Sequence, residues 1–151
     1  MAELTFNKPT EVEAPGYGIW VHHRLSAPDL TLIDFDFDVG SSVEPTFDGH
    51  KLIMKGSGTS GLLRFRSSNG EEVGIVVGVH NYKRWCHIVT DFGINETSHA
   101  RRAKYYSDDA AFSGQLWAQA ESFTTTSSKG RPVLIDYFVK EGNDMHATVK
   151  Y

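Results

Sequence analysis

Apolar and charged side chains alternate strictly along much of this chain, and that period of two restricts the fold more than any other feature. Ile33, Phe35, Phe37 and Val39 interleave with Asp34, Asp36 and Asp38. Such spacing gathers one chemistry on each face of an extended strand. Leu63 and Phe65 alternate with Arg64 and Arg66, and Met145, Ala147, Val149 and Tyr151 repeat the pattern. The run from Val73 to Val79 is apolar on both faces, which predicts a central strand covered on either side. Its glycines, Gly74 and Gly78, mark bends or close approaches of the backbone. Pro132–Val139 reads as a strand with proline at its first position, and Glu141-Gly142-Asn143-Asp144 as the turn of a hairpin. Only between Glu96 and Ser122 does the alternation stop, as Ala, Gln, Glu, Lys and Arg become frequent. Two short helices are predicted there, Glu96–Tyr106 capped by Asn95 and Ala110–Ala120. Strands, a helical connection and further strands make a mainly β protein, a two-sheet sandwich with a helix–loop–helix crossover.

Composition narrows the functional classes. The 151 residues are predicted to form one domain, 1–151, large enough to hold a core without staples. Fifteen basic against 19 acidic side chains leave a net charge of −4, which argues against a nucleic-acid partner. No apolar run is long enough for a membrane span, and the Met-Ala-Glu-Leu-Thr start has neither the basic nor the apolar region of a secretory signal. Cys86 is the only cysteine, so no internal disulfide forms, and a cytoplasmic location is expected.

Several constellations invite chemistry and are better read as structure. The ladder of Asp34, Asp36 and Asp38 lacks the further ligands of a hard-metal site and reads as a solvated strand face. Seven histidines show no zinc-type spacing, and no metal or cofactor is expected. Cys86 and His87 are adjacent on a strand and point to opposite faces, which makes Cys86 a buried, inert thiol. The loop Lys55-Gly56-Ser57-Gly58-Thr59-Ser60-Gly61 lacks the Gly-Lys-Ser/Thr ending of a phosphate cradle and leads into a strand. What it exposes is backbone N–H groups and small hydroxyls. Val79-His80-Asn81-Tyr82-Lys83-Arg84-Trp85 then crowds an imidazole, an amide, two cations and two aromatic rings into seven residues. Sugars call for this mixture, amides and hydroxyls for the ring hydroxyls and flat rings for the C–H faces.

At these two segments the chain resembles the fungal fruit-body lectin family. Gly-Ser-Gly-Thr-Ser-Gly-x-Leu-Arg-Phe and Gly-Val-His-Asn-Tyr-Lys-Arg-Trp-Cys-x-Ile-Val-Thr carry the resemblance, and Tyr105-Tyr106, Lys129-Gly130-Arg131 and residues 141–147 extend it. It implies a β-sandwich of actinoporin-like type and a non-enzymatic, cytoplasmic, usually tetrameric agglutinin with a defensive role. The ligand implied is a glycan or glycoprotein bearing terminal Galβ1-3GalNAc, the T-antigen disaccharide. Carried over residue by residue, Ser57, Gly58, His80 and Asn81 line the primary sugar site. Asp38 stands where the family has a small residue, and either accepts a hydroxyl or obstructs the pocket. A second site, for N-acetylglucosamine, falls on His87, Ile88, Thr90 and Phe123. It is expected to be impaired: His87 replaces an acid, Phe123 a tyrosine, and the expected arginine falls at Ala110 or Ala111. A membrane-active pore former sharing the sandwich is the alternative. Against it, Met1 to Gly16 contains Pro9 and Pro15 and lacks the 3.6-residue periodicity of an inserting helix, so membrane insertion is not expected.

Overall fold

The computed structural model describes residues 16–24 and 30–151. The absence of an inserting helix before Gly16 concerns residues that lie outside this range. Among the described residues the strands are β1 (Gly16–Arg24), β2 (Thr31–Phe37), β3 (Ser42–Thr46), β4 (Gly49–Lys55), β5 (Thr59–Arg66), β6 (Glu72–His80) and β7 (Lys83–Val89). Helix α1 (Ser98–Ala103), a 3₁₀ turn (Lys104–Tyr106) and helix α2 (Ala110–Ala118) follow. The chain closes with β8 (Ser122–Thr126), β9 (Pro132–Val139) and β10 (Asp144–Lys150). Six strands form one sheet in the order β3-β4-β1-β10-β9-β8, and four form the other in the order β2-β5-β6-β7. Neighbours pair antiparallel except β1 and β10, which run parallel with Trp20 opposite His146.

The period-two pattern places the core between the sheets. Ile19, Val21, Leu52, Met54, Ile135, Tyr137, Ala147 and Val149 come from the larger sheet, all nearly inaccessible. They meet Leu63, Val73, Ile75, Val77, Val79, Cys86 and Ile88 from the smaller. The outer face of the smaller sheet carries a second apolar cluster, Leu62, Val76, Trp85 and Val89, roofed by Tyr105 and Leu116 of the helical connection. Strand β6 is therefore covered on both faces, as its composition predicts. Gly78 makes this possible. A Cβ there would lie 2.5 Å from the Trp85 ring nitrogen and 2.7 Å from the Thr59 carbonyl.

Three expectations are corrected. Asn95 does not cap α1: it holds a left-handed backbone, φ 63°, and the Thr97 hydroxyl accepts the Ala100 N–H at 3.0 Å instead. The Ile33–Val39 alternation does not bury a whole apolar face. β2 is the edge of its sheet and carries a bulge between Leu32 and Asp34, so Phe35 is left 46% exposed. Nor are the facing aspartates simply solvated, since Asp36 and Asp38 are clamped by Arg102.

Candidate functional site

The Gly56–Gly58 loop between β4 and β5 and the two-residue turn between β6 and β7 lie against each other at one end of the smaller sheet. Gly58 has φ 85°, a conformation that favours glycine, and its N–H donates to the Val79 carbonyl at 2.7 Å. In the turn, His80 pairs with Lys83, and Asn81 (φ 50°) and Tyr82 (φ 66°) are both left-handed. This is the backbone that matches strand twist in a tight hairpin, but it strains a bulky residue such as Tyr82. The Ser57 hydroxyl accepts the Tyr82 N–H at 2.9 Å, tying loop to turn. Asn81 is exposed at the tip. The His80 ring meets the edge of Trp117 at 4.4 Å between centroids, while its carbonyl accepts from Gln119 Nε2 at 2.9 Å. Trp117, on α2, is 66% exposed and adds a flat ring beside the turn.

Asp38 joins this region through Ser60. One carboxylate oxygen accepts the Ser60 N–H at 3.0 Å, and the other accepts Arg102 Nη1 at 2.9 Å. Arg102 also donates to Asp36 at 2.6 Å and to the buried Ser60 hydroxyl at 3.1 Å, and the Tyr106 hydroxyl donates to that same oxygen. Two carboxylates held by one guanidinium form a rigid acidic wall that keeps a net charge of −1.

Of the four residues of the second expected site, two are in ring contact. His87 and Phe123 meet, ring centroids 4.4 Å apart, and His87 Nδ1 shares a hydrogen bond with the Tyr105 hydroxyl at 2.6 Å. Burial, with the Arg101 charge second, pushes the His87 pKa down to about 4, so the ring is neutral at pH 7. Ile88 points into the inter-sheet core and is 4% exposed. Thr90 lines a concavity of about 680 Å³ with Arg64, Phe92 and Glu96. Ala110 and Ala111 open α2, and the helical guanidinium near His87 is Arg101, bonded to Asp91 and Glu96. Cys86 is buried, and its thiol is pushed up to about 12 chiefly by that burial, as an inert thiol requires.

The family model for the fungal fruit body lectin matches residues 33–149, most of the chain and both arms of this site. The protein belongs to that family. A lectin of Boletus edulis is 43% identical over 101 residues, 66% of this chain and 69% of its own length. The structure of Xerocomus chrysenteron lectin superposes with a TM-score of 0.84 at 31% identity, covering 91% of this chain and 98% of the other. The lipid-binding protein Nakanori, 10% identical with a TM-score of 0.51 over 89% of this chain and 70% of its own, shares the fold alone. The two-sheet sandwich of actinoporin-like type and the lectin function of the family thus rest on sequence and structure together. Sequence reasoning about this lectin missed Trp117, Arg102 and Tyr106. Arg102 had a signal, since a strand bearing three aspartates calls for a cation and the helical segment contains Arg101-Arg102. Trp117 had none, because its place over the turn depends on how α2 lies across the sheet.

Proposed function

We propose that this lectin binds glycans ending in Galβ1-3GalNAc, without catalysis, at the junction of the Gly56–Gly58 loop and the His80–Lys83 turn. The observation that carries the reading is the strained turn itself. Its left-handed backbone exposes Asn81 next to His80, whose ring meets the exposed Trp117 indole, and Ser57 anchors it. An amide fork offers a donor and an acceptor to adjacent ring hydroxyls, while the Trp117 face suits the C–H surface of a pyranose. Gly58 leaves room for the acetamido group, since nothing lies within 4 Å of where its Cβ would stand. Each Asp38 oxygen keeps a lone pair, and the carboxylate acts as a fixed acceptor that sharpens preference. The family resemblance supports a homotetramer, a cytoplasmic location and a defensive role. Four sites on one particle raise avidity toward clustered glycans by ~10²–10⁴ without new contacts.

Asn81→Ala tests the reading. Loss of a buried amide–sugar bond costs ~1–3 kcal/mol, so affinity for Galβ1-3GalNAc falls about 5- to 150-fold, while stability falls only by the ~1 kcal/mol that alanine costs in a left-handed turn. Agglutination of cells bearing the disaccharide falls with it. Calorimetry giving the same affinity in variant and wild type removes this site. Release of free sugar from the disaccharide contradicts the non-enzymatic reading, and dye leakage from sphingomyelin vesicles favours the pore former.

A further inference from the structure

The outer face of the six-stranded sheet, away from the loop and turn, carries an arrangement of rings that the proposed lectin site does not use. Asp48 Oδ1 lies 2.7 Å from His22 Nδ1, and His22 Nε2 lies 2.8 Å from His146 Nδ1. The two imidazole planes are 9° apart with centroids at 5.1 Å. Rings that nearly parallel, joined through their nitrogens, lie edge to edge and tile one surface. Trp20 is nearly parallel to both, 5.3 Å from His146 and 6.4 Å from His22, and Lys51 Nζ sits 4.6 Å from its ring centre. Phe138, 56% exposed, rises at about 40° to the imidazoles and 5.6 Å from His22. A bulge between Tyr137 and Val139, against Ala147 and His146, sets Phe138 at this corner. Bulges of this kind re-aim a side chain beside a site.

We propose that this floor and wall form a separate binding platform for the flat face of an equatorially substituted β-hexopyranoside. Three features select a sugar rather than a protein. The ring surface spans only a few side chains on two strands and the Phe138 bulge, far short of the ~800 Å² per partner of a stable protein interface. Hydrogen-bonding groups of both signs lie beside the rings. Phe138 also walls a concavity of about 450 Å³ whose rim carries Asp136, Thr148 and Lys150, enough for a further sugar unit. The floor is also held in advance of binding. With His22 neutral, its Nδ1–H bonds Asp48 and His146 donates to its Nε2, which leaves His146 Nε2 a lone pair. With hydrogens on both His22 nitrogens, Nδ1–H still bonds Asp48 while Nε2–H donates to His146 Nδ1, so the second bond alone reverses and His146 Nε2 carries a hydrogen. In either state the far end of the chain addresses a hydroxyl. All-equatorial substitution puts axial hydrogens on both sugar faces, which gives such rings the largest apolar contact.

Cellotetraose is the probe, titrated by calorimetry into wild type, Phe138→Ala, Phe138→Tyr, Trp20→Ala and Asn81→Ala. Wild type is expected to saturate with a dissociation constant of about 0.1–1 mM. Phe138→Ala weakens binding about 10-fold through loss of one stacking face, Phe138→Tyr retains it, and Trp20→Ala follows Phe138→Ala. Phe138 is exposed, so its variants test the platform even if Trp20→Ala fails to fold. Asn81→Ala leaves cellotetraose binding intact while weakening Galβ1-3GalNAc, which separates failure here from failure of the loop site. The platform is overturned by no saturation at about 10 mM, by unchanged affinity in Phe138→Ala, or by loss of binding in Asn81→Ala. A lower particle mass for Phe138→Ala in light scattering overturns it as well, because it assigns this face to a second copy of the chain.

Discussion

At His87 the chemistry expected of a second sugar site and the chemistry present diverge. The resemblance implies an acid at this position for holding N-acetylglucosamine, and the imidazole found there is neutral and spends Nδ1 on the Tyr105 hydroxyl. A neutral ring offers one donor and one acceptor, where a carboxylate offers several lone pairs and a charge. Phe123 supplies a stacking face without a hydroxyl, and Arg101 is committed to Asp91 and Glu96. Charge-assisted bonds worth ~1.5–3 kcal/mol each are thus missing, and N-acetylglucosamine and chitobiose are expected to bind more weakly than about 1 mM. Titration calorimetry measures this directly, and a micromolar constant for either sugar refutes it. The identity of His87 was legible in the sequence. That Ile88 faces the core was not, since the strand's two faces are assigned only by the layers that pack on them.

Among the elements, β6 and β7 carry the turn, and their spacing depends on Trp85 lying flat over Gly78. The indole also rests 5.2 Å from the Tyr105 ring, so sheet and helical roof share one contact. Gly78→Ala places a methyl carbon within 3 Å of both the indole and the Thr59 carbonyl, which is backbone and cannot swing aside. Overpacking of this kind costs ~1–3 kcal/mol. Because Thr59 adjoins Gly58, the displacement also reaches the Gly56–Gly58 loop. A urea midpoint lowered by that amount is expected, together with weaker binding of Galβ1-3GalNAc. If both stay at wild-type values, the Trp85 contact does not set the loop's position. The two apolar faces of β6 announced a covered strand, yet not which ring covered it. Likewise the composition of residues 96–122 announced helices, but their N-caps, Thr97 and Asp109, were settled by local hydrogen bonds.

For the whole molecule, stability is tied to pH through half-buried histidines. His23 and His87 are both pushed down to about 4, largely by burial, from an ordinary value of 6.5. Between those values the unfolded chain binds protons that the folded one refuses, so stability falls as pH drops from about 6.5 toward 4. Each histidine contributes a slope of up to about 1.4 kcal/mol per pH unit in that window. Thermal melts from pH 7 to 4.5 should show a steadily falling midpoint, with a shallower fall in His87→Phe. A midpoint independent of pH over that range contradicts the burial argument. Glu96 acts with the same sign in a lower window: Arg101 hydrogen bonds hold its pKa down to about 2, so its contribution is lost only below about pH 4.5.

Local chemistry wrote much of this protein into its sequence. Period-two runs made strands because a strand has two faces, and the Gly56–Gly61 and His80–Trp85 segments displayed their hydroxyls, amide and aromatic rings within a few residues of chain. What lies far apart in the chain was settled only by tertiary structure. β1 pairs in parallel with β10 across more than a hundred residues, and its place at the centre of the larger sheet comes from burying Ile19 and Val21 against the opposite sheet. The Arg102 clamp on Asp36 and Asp38 and the Trp117 wall beside His80 likewise depend on α1 and α2 lying across the smaller sheet. Periodicity records which face of an element is apolar, and only packing decides what that face meets.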